Sequence, residues 1–355
     1  MNLFKLVVKK KTLLLAIPLV LFLFVAVPVI FAQNAVQGLD LTVSPPVYDL
    51  TANPGDTVRQ TFRVRNNGTQ AMDLDVQARR LTSNPTTGEP VPENDAKGEE
   101  LTWVKFDPQD FTAQPREWTN VGYTINIPKT AAYGYYYVFS IAPKNSRTQT
   151  VTGAAIKGEV LVVVLLNVKK DGAISKAALV NFAPKNFVTE YLPATFEVTL
   201  ENQGNVHVKP HGNIFITRGG TRDIAILDVN AGVGSILPGG KRTFESSWTD
   251  GFIVREPVVD ENNQPKLDKD GKPETKLTIN WNNLTGFRIG PYTARMLLVY
   301  DDGTRDQTIE GTTTFWIIPY TPLAVIIVGL IIIIFGTKLL LRSYVRSQIK
   351  KSSRK

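Results

Sequence analysis

"PGDTVRQTFRVRNNGTQAMDLDV", running from Pro54 to Val76, is the stretch whose reading decides the fold. Val58, Phe62 and Val64 fall on one face of an extended segment, with Thr57, Arg59, Thr61, Arg63 and Arg65 on the other. That is the period of two expected of a half-buried strand, with Gln60 the single lapse on the inner face. Asn66-Asn67-Gly68 supplies residues that tolerate positive φ, after which Met72, Leu74, Val76 and Ala78 alternate with Asp73, Asp75, Gln77 and Arg79. The spacing predicts a strand, a tight turn and a second strand, paired as antiparallel neighbours.

The same grammar returns in "ATFEVTLENQGNVHVKPHGNIFI", where Phe196, Val198 and Leu200 share a face, the chain breaks at Asn202-Gln203-Gly204, and Val206 and Val208 resume the alternation. Further echoes follow in order: "FTAQPREWTNVGYTINIP" beside "ILPGGKRTFESSW", "YGYYYVFSIAP" beside "GPYTARMLLVYDDG", and "GEVLVVVLLNV" beside "EGTTTFWII". Short strands rich in Val, Ile, Tyr, Phe and Thr, punctuated by Gly, Pro and Asn, indicate an all-β chain with two tandem immunoglobulin-like β-sandwiches. The expected division is 33–170 and 171–316, with the boundary in the polar, turn-prone "KKDGAISKAA". Two charged segments, 82–100 and 255–276, read as loop excursions from a sheet edge. Asp268-Lys269-Asp270-Gly271 reads as a hairpin tip, because the third acid and the terminal Glu of a calcium loop are missing. The Gly pairs at 219–220 and 239–240 also read as hairpin turns, and "LPATF" at 192–196 as the approach to a strand.

The chain has 355 residues, 40 basic and 32 acidic, for a formal net charge of +8. Its ends explain that excess: Lys5, Lys9, Lys10 and Lys11 precede one apolar run, and Lys338, Arg342, Arg346, Lys350, Lys351, Arg354 and Lys355 close the chain. No acid stands in either segment, so the middle is mildly acidic, and nucleic acid is not an expected partner. Residues 1–32, with the run "TLLLAIPLVLFLFVAVPVIFA", read as an export signal ending at Ala32 or as an N-terminal anchor. Residues 317–341, with "TPLAVIIVGLIIIIFGTKLLL", read as a transmembrane helix, and 342–355 as a basic cytoplasmic tail. Positive charge flanking both runs puts the sandwiches outside the cell membrane and the C-terminus in the cytoplasm. With no cysteine, stability rests on packed cores, and lipid attachment through a thioether is excluded.

"LTVSPPVYDLTANPGDTVRQTFRVRNNG", followed by "LTWVKFDPQDFTAQPREWTNVGYTINIPKTAAYGYYYVFSIAP", resembles the peptidoglycan-binding domain of the WxL-interacting protein family of Gram-positive cell surfaces. The shared phrases are Asn66-Asn67-Gly68, Trp103-Val104, Ile125-Asn126-Ile127-Pro128 and the cluster from Tyr133 to Tyr137, and the resemblance covers roughly residues 39 to 168. It implies an export signal, two immunoglobulin-like domains, one span, a basic tail, and a wall-binding role. No Trp-x-Leu motif occurs, so the chain is not itself a WxL protein.

Catalytic chemistry finds little to stand on. His207 and His211 lack an obvious third metal ligand, no Cys–His or Ser–His–Asp arrangement can be built, and Glu99-Glu100 and Asp301-Asp302 read as solvated turn residues. The expectation is therefore no enzyme, no cofactor and no metal. In "AAYGYYYVFSIAP", alternation places Tyr133, Tyr135, Tyr137, Phe139 and Ile141 on one face, and Tyr136, Val138 and Ser140 on the other. Tyr133 and Tyr136 are the candidate ligand-binding residues, since a ring with a hydroxyl suits a sugar or peptide. The function expected is a non-catalytic, membrane-anchored surface protein that binds peptidoglycan or another surface protein. The alternatives are an accessory subunit of an export or adhesion complex and a cell-wall hydrolase.

Overall fold

The computed structural model describes residues 39–84, 88–93, 98–144, 158–220, 222–260 and 264–352, with side chains as far as 344. The export-signal or anchor reading of residues 1–32 lies outside these. Among the described residues before the C-terminal helix, strands account for the majority. The first ten are β1 (Leu41–Ser44), β2 (Val47–Ala52), β3 (Thr57–Asn66), β4 (Met72–Ser83), β5 (Pro90–Pro92), β6 (Val104–Asp107), β7 (Asp110–Ala113), β8 (Trp118–Asn126), β9 (Tyr133–Pro143) and β10 (Val160–Val168). They form one sheet in the order β1-β3-β8-β6 and a facing sheet in the order β2-β10-β9-β4-β5, with β7 also on β4.

The next ten strands are β11 (Ala177–Pro184), β12 (Val188–Thr189), β13 (Ala194–Asn202), β14 (His211–Thr217), β15 (Asp223–Val229), β16 (Lys241–Trp248), β17 (Ile253–Pro257), β18 (Thr275–Ile279), β19 (Gly290–Asp301) and β20 (Asp306–Ile317). Eight of them repeat the plan, in sheets ordered β11-β13-β16 and β12-β20-β19-β14-β15. The echoes seen in the sequence coincide with equivalent pairings: β8 lies on β3 as β16 lies on β13, and β9 on β10 as β19 on β20. In each copy one short strand joins the facing sheet in parallel, Val47 opposite Val163 and Val188 opposite Trp316. The chain is two immunoglobulin-like β-sandwiches in tandem.

The alternation at 54–76 has the inner face right and the neighbour wrong. Phe62, Val64, Leu74 and Val76 are all buried in the first core. Yet β3 pairs with β1 and β8, while β4 pairs with β9, β7 and β5, so the two strands are not a hairpin. Asn66 makes the corner between sheets. It is fully buried; its Nδ2 donates to Gln70 O at 2.7 Å and Ala113 O at 3.0 Å, and its Oδ1 accepts from Gly68 N at 3.0 Å. Asn202 repeats the device, donating to Val206 O and Ile236 O, both at 2.8 Å, and accepting from Gly204 N at 2.8 Å. A period of two specifies which side faces inward, and two strands on opposite sheets of a sandwich satisfy it as well as a hairpin does.

Three further expectations change. Gly239-Gly240 is not a hairpin turn: it leads into β16 on the other sheet, with Gly239 N donating to Asn202 O at 2.9 Å and Asn202 N to Gly240 O at 3.0 Å. Segment 255–276 is largely a ribbon, in which β17 and β18 pair from Ile253↔Ile279 to Pro257↔Thr275. Bridges at Val259↔Pro265 and Leu267↔Pro273 continue it. Its end is an Asx turn, with Asp268 Oδ1 accepting from Asp270 N at 2.8 Å and Lys272 N at 2.9 Å. Segment 82–100 is partly strand, since β5 returns along β4 with Leu81 opposite Pro92.

Each sandwich closes on its own core. Tyr123, Ile125, Tyr137 and Phe139 join Phe62 in the first, and Phe196, Trp248, Tyr292, Met296 and Phe315 fill the second. Beyond β20 runs α1 (Tyr320–Ser352), with Pro322 in its first turn, where a missing N–H costs nothing. Its segment Tyr320–Tyr344 is 25 residues long and apolar enough to cross a membrane, with its apolar side chains bare.

Candidate functional site: the junction of the sandwiches

The outward face of β9 is where the first sandwich meets the second. Val138 on β9 and Leu165 on β10 pack with Leu81 of β4 and with Leu237, which precedes β16. Tyr136, Leu161 and Val163 lie against this cluster. The sequence carried a signal for it: "VLVVVLL" at 160–166 is apolar at every position, which a strand covered on only one side does not need.

Tyr136 and Tyr133, the two candidate residues, are placed differently. Tyr136 points away from the first core, as alternation requires, but it stands in the junction and not on an open strip. Its ring folds back over Gly134, where a Cβ would fall 2.0 Å from its hydroxyl. The edge of that ring meets His207 of the second sandwich at a centroid distance of 5.7 Å. The hydroxyl lies near the His207 backbone without a well-formed hydrogen bond, and burial pushes its pKa up. Tyr133, in a left-handed conformation at φ 66°, instead reaches the linker, its hydroxyl 3.4 Å from Asp171 O. Their neighbours are framework: Tyr137 is fully buried, and Tyr135 packs against Trp103 at 4.8 Å.

Polar contacts pin the junction beside Tyr136. Asp49 of β2 accepts from His207 Nε2 at 3.2 Å and pairs with Lys209. The His207 hydrogen bond, helped by Lys209, holds the Asp49 carboxyl down at about 2. The sequence raised His207 only beside His211 and never joined it to Asp49 or Lys209, because a hundred and more positions separate Asp49 from both. His211 sits apart from His207, exposed at the start of β14 with Nδ1 3.2 Å from Lys209 O. Among the described residues, no group of three His, Cys, Asp or Glu could hold a metal ion.

A cleft of about 810 Å³ opens on one side of the junction. Leu81, Ser83, Gly134 and Tyr136 line it from the first sandwich, and Asn205, Gly239 and Lys241 from the second. Two hydroxyls at this cleft, on Ser83 and Tyr136, are buried without a hydrogen-bond partner. Gly88 approaches Lys241 so tightly that a Cβ there would sit 1.4 Å from the Lys241 carbonyl oxygen. On the other side of the polar pins a second cleft, of about 500 Å³, is lined by Asp49, His207, His211 and Asp302 among others. Asp302 is committed to its own turn, accepting from Thr304 Oγ1 and Gln307 Nε2, both at 2.6 Å, and from Arg305 N at 2.9 Å and Thr304 N at 2.8 Å, and these bonds lower its pKa.

No protein-family model matches the chain, and no curated protein matches it either. Among solved structures it is similar to the CupB2 chaperone of Pseudomonas aeruginosa, at 10% identity over 76% of this chain and 98% of that one, with a TM-score of 0.33. The E. coli chaperone DraB gives 10% identity over 78% and 97%, with a TM-score of 0.30. The CsuC–CsuE chaperone–adhesion subunit complex of Acinetobacter baumannii gives 11% over 58% and 89%, with a TM-score of 0.32. At such identities and TM-scores the function has to be argued from this chain's own residues.

Proposed function

We propose that the protein is a non-catalytic, single-pass surface protein that holds wall material, a glycan with attached peptide, in the cleft between its two sandwiches. The observation that carries this is the convergence of the Tyr136 ring with Thr82, Ser83, Asn84, Asn205 and Lys241 on that one cleft. Hydroxyls, amides and an aromatic face suit a ligand that is itself rich in hydroxyls and amides. The described lining is an aromatic ring, hydroxyls, amides, glycines, three apolar side chains and one lysine, a set suited to binding and without a carboxylate for acid–base work. The resemblance of residues 39–168 to the WxL-interacting family supports the same ligand. The apolar helix α1 and the basic residues after it support anchoring with the sandwiches outside.

The test is co-sedimentation of the full-length protein, held in detergent micelles, with purified insoluble cell wall. Retention is expected, and Thr82→Trp, which plugs the cleft from an exposed position, should weaken it by about tenfold. Failure of the unaltered protein to sediment overturns the wall-ligand reading. A surface-protein partner is the second reading, favoured by β15, the last strand of its sheet, where Ile226 is 59% exposed. Capture of a partner that Ile226→Lys abolishes would select it.

A further inference from the structure

The end of the second sandwich nearest α1 carries an apolar surface that neither core uses. It is built on the 3-10 turn at Trp281–Gly286 and its flanks: Trp281 is 70% exposed, Leu284 63%, Phe287 53% and Ile279 47%. Phe252 props two of these rings from beneath, 5.6 Å from Trp281 and 6.2 Å from Phe287. The turn is held firmly in place. Phe252 N donates to Gly286 O at 2.8 Å, Asn280 N to Phe252 O at 2.8 Å, and Asn283 Nδ2 to Asp250 Oδ1 at 2.6 Å. Aromatic and branched side chains fixed outward on a rigid support are not the makings of a soluble surface.

The same end of the domain is tied to the start of the helix. Glu190 Oε1 accepts from Thr321 N at 3.1 Å, in the first turn of α1, while Glu190 Oε2 pairs with Arg255 of the ribbon at 3.2 Å. Leu192, two residues on, bridges to Val254. Phe287 lines one small cavity together with Ile317 and Pro319, the last residues before the helix. The apolar turn is thus continuous with the point where the chain leaves the sandwich for the apolar helix. Tyr320, 56% exposed, opens that helix at the depth where amphipathic rings settle among lipid headgroups.

We infer that Trp281, Leu284 and Phe287 form a membrane-docking surface that inserts into the interfacial layer of the bilayer spanned by α1. This rests on α1 being a membrane span. Two attachments then act together, the helix through the bilayer and the turn upon it. Attached at both, the second sandwich is fixed in tilt above the lipid and does not swing on a flexible stalk. Lipid is preferred over a second copy of the chain because continuity with the helix start places the patch at the lipid surface whatever else is bound.

The chain's lack of cysteine makes the test direct. Full-length single-cysteine variants Leu284→Cys, Leu330→Cys and Gln60→Cys are labelled with a small environment-sensitive fluorophore. They are reconstituted in phosphatidylcholine–phosphatidylglycerol vesicles, with or without nitroxide lipid labelled both near the top and near the end of its acyl chain, so that the interface and the bilayer centre are both sampled. The labels at Leu330, in the helix, and at Leu284 should each lose about twofold in intensity to the nitroxide lipid, whereas that at Gln60, exposed on β3, should be unchanged. Thr285→Cys, exposed on the same turn, repeats the measurement should Leu284→Cys fold poorly. Quenching at Leu330 but at neither turn position overturns the docking surface and leaves the span standing. No quenching at Leu330 overturns the span and the proposal with it. Intensity at the turn that follows protein density and ignores the nitroxide lipid points to a second copy and overturns the lipid assignment.

Discussion

Strands β9 and β19 hold equivalent places in the two sandwiches and live in different surroundings. On β19, burial alternates: Tyr292, Ala294, Met296 and Leu298 face the core, and Arg295 and Leu297 face out. On β9, every residue from Tyr137 to Ala142 is buried, because the outward side is covered as well. Leu237 and His207 of the second sandwich cover one end of it, and Ser140 is met by Glu159, itself paired with Arg79 at 3.1 Å. One strand of a repeated fold has become an interface while its counterpart remains a surface. The shared framework therefore does not by itself locate a binding site.

The comparison is broken hardest at the cores. Phe62→Ala and Phe196→Ala remove equivalent fully buried rings, and each should cost about 3–5 kcal/mol by chemical denaturation. A cost below about 1 kcal/mol at either would show that the two halves are not copies of one packing scheme. Next come the corners. Asn66→Ala and Asn202→Ala each remove two side-chain donations to backbone carbonyls and one acceptance from a glycine N–H, and should each cost about 2–3 kcal/mol.

The covered and bare faces should then differ. Val138→Ala should cost about 2 kcal/mol, while Leu297→Ala, 38% exposed on β19, should stay within about 0.5 kcal/mol. Equal effects would mean that the junction does not hold in solution. The smallest effect belongs to Asp49. Its folded pKa, about 2, lies below its ordinary 3.8, so the stability it confers is present above pH 3.8 and is lost as pH falls through about 2. Because Asp49 is partly exposed, that contribution is about 1 kcal/mol or less. Asp49→Asn should lower stability at neutral pH by that amount and converge with the unaltered protein near the acid end. Parallel pH curves would show that His207 and Lys209 do not hold the carboxylate.

Much of this was readable in the chain. Alternation at Phe62, Val64, Leu74 and Val76 placed the inner faces because side chains on a strand take opposite sides by geometry alone, whatever the neighbour. The repeated Asn-x-Gly corners, and the matching order of motifs after them, gave the tandem plan. The long apolar run from Thr321 needs no partner to be recognised, since length and composition are its whole signal.

Partner choice was not readable. Whether β3 turns back on β4 or sends it to the other sheet depends on where the buried Asn66 side chain finds carbonyls, and one of those, Ala113 O, lies 47 positions away. Tyr136 could be assigned a direction but not what it meets, because His207 arrives from the second sandwich. Asp49, His207, Lys209 and Leu237 share no motif. The sequence by itself determined the faces, the repeat and the apolar helix, all properties of a few neighbouring residues. Only the tertiary structure decided which strands pair, that the outward face of β9 is a junction, and that Phe287 stands beside the last residues before α1. Those depend on contacts between distant segments, which no local period encodes.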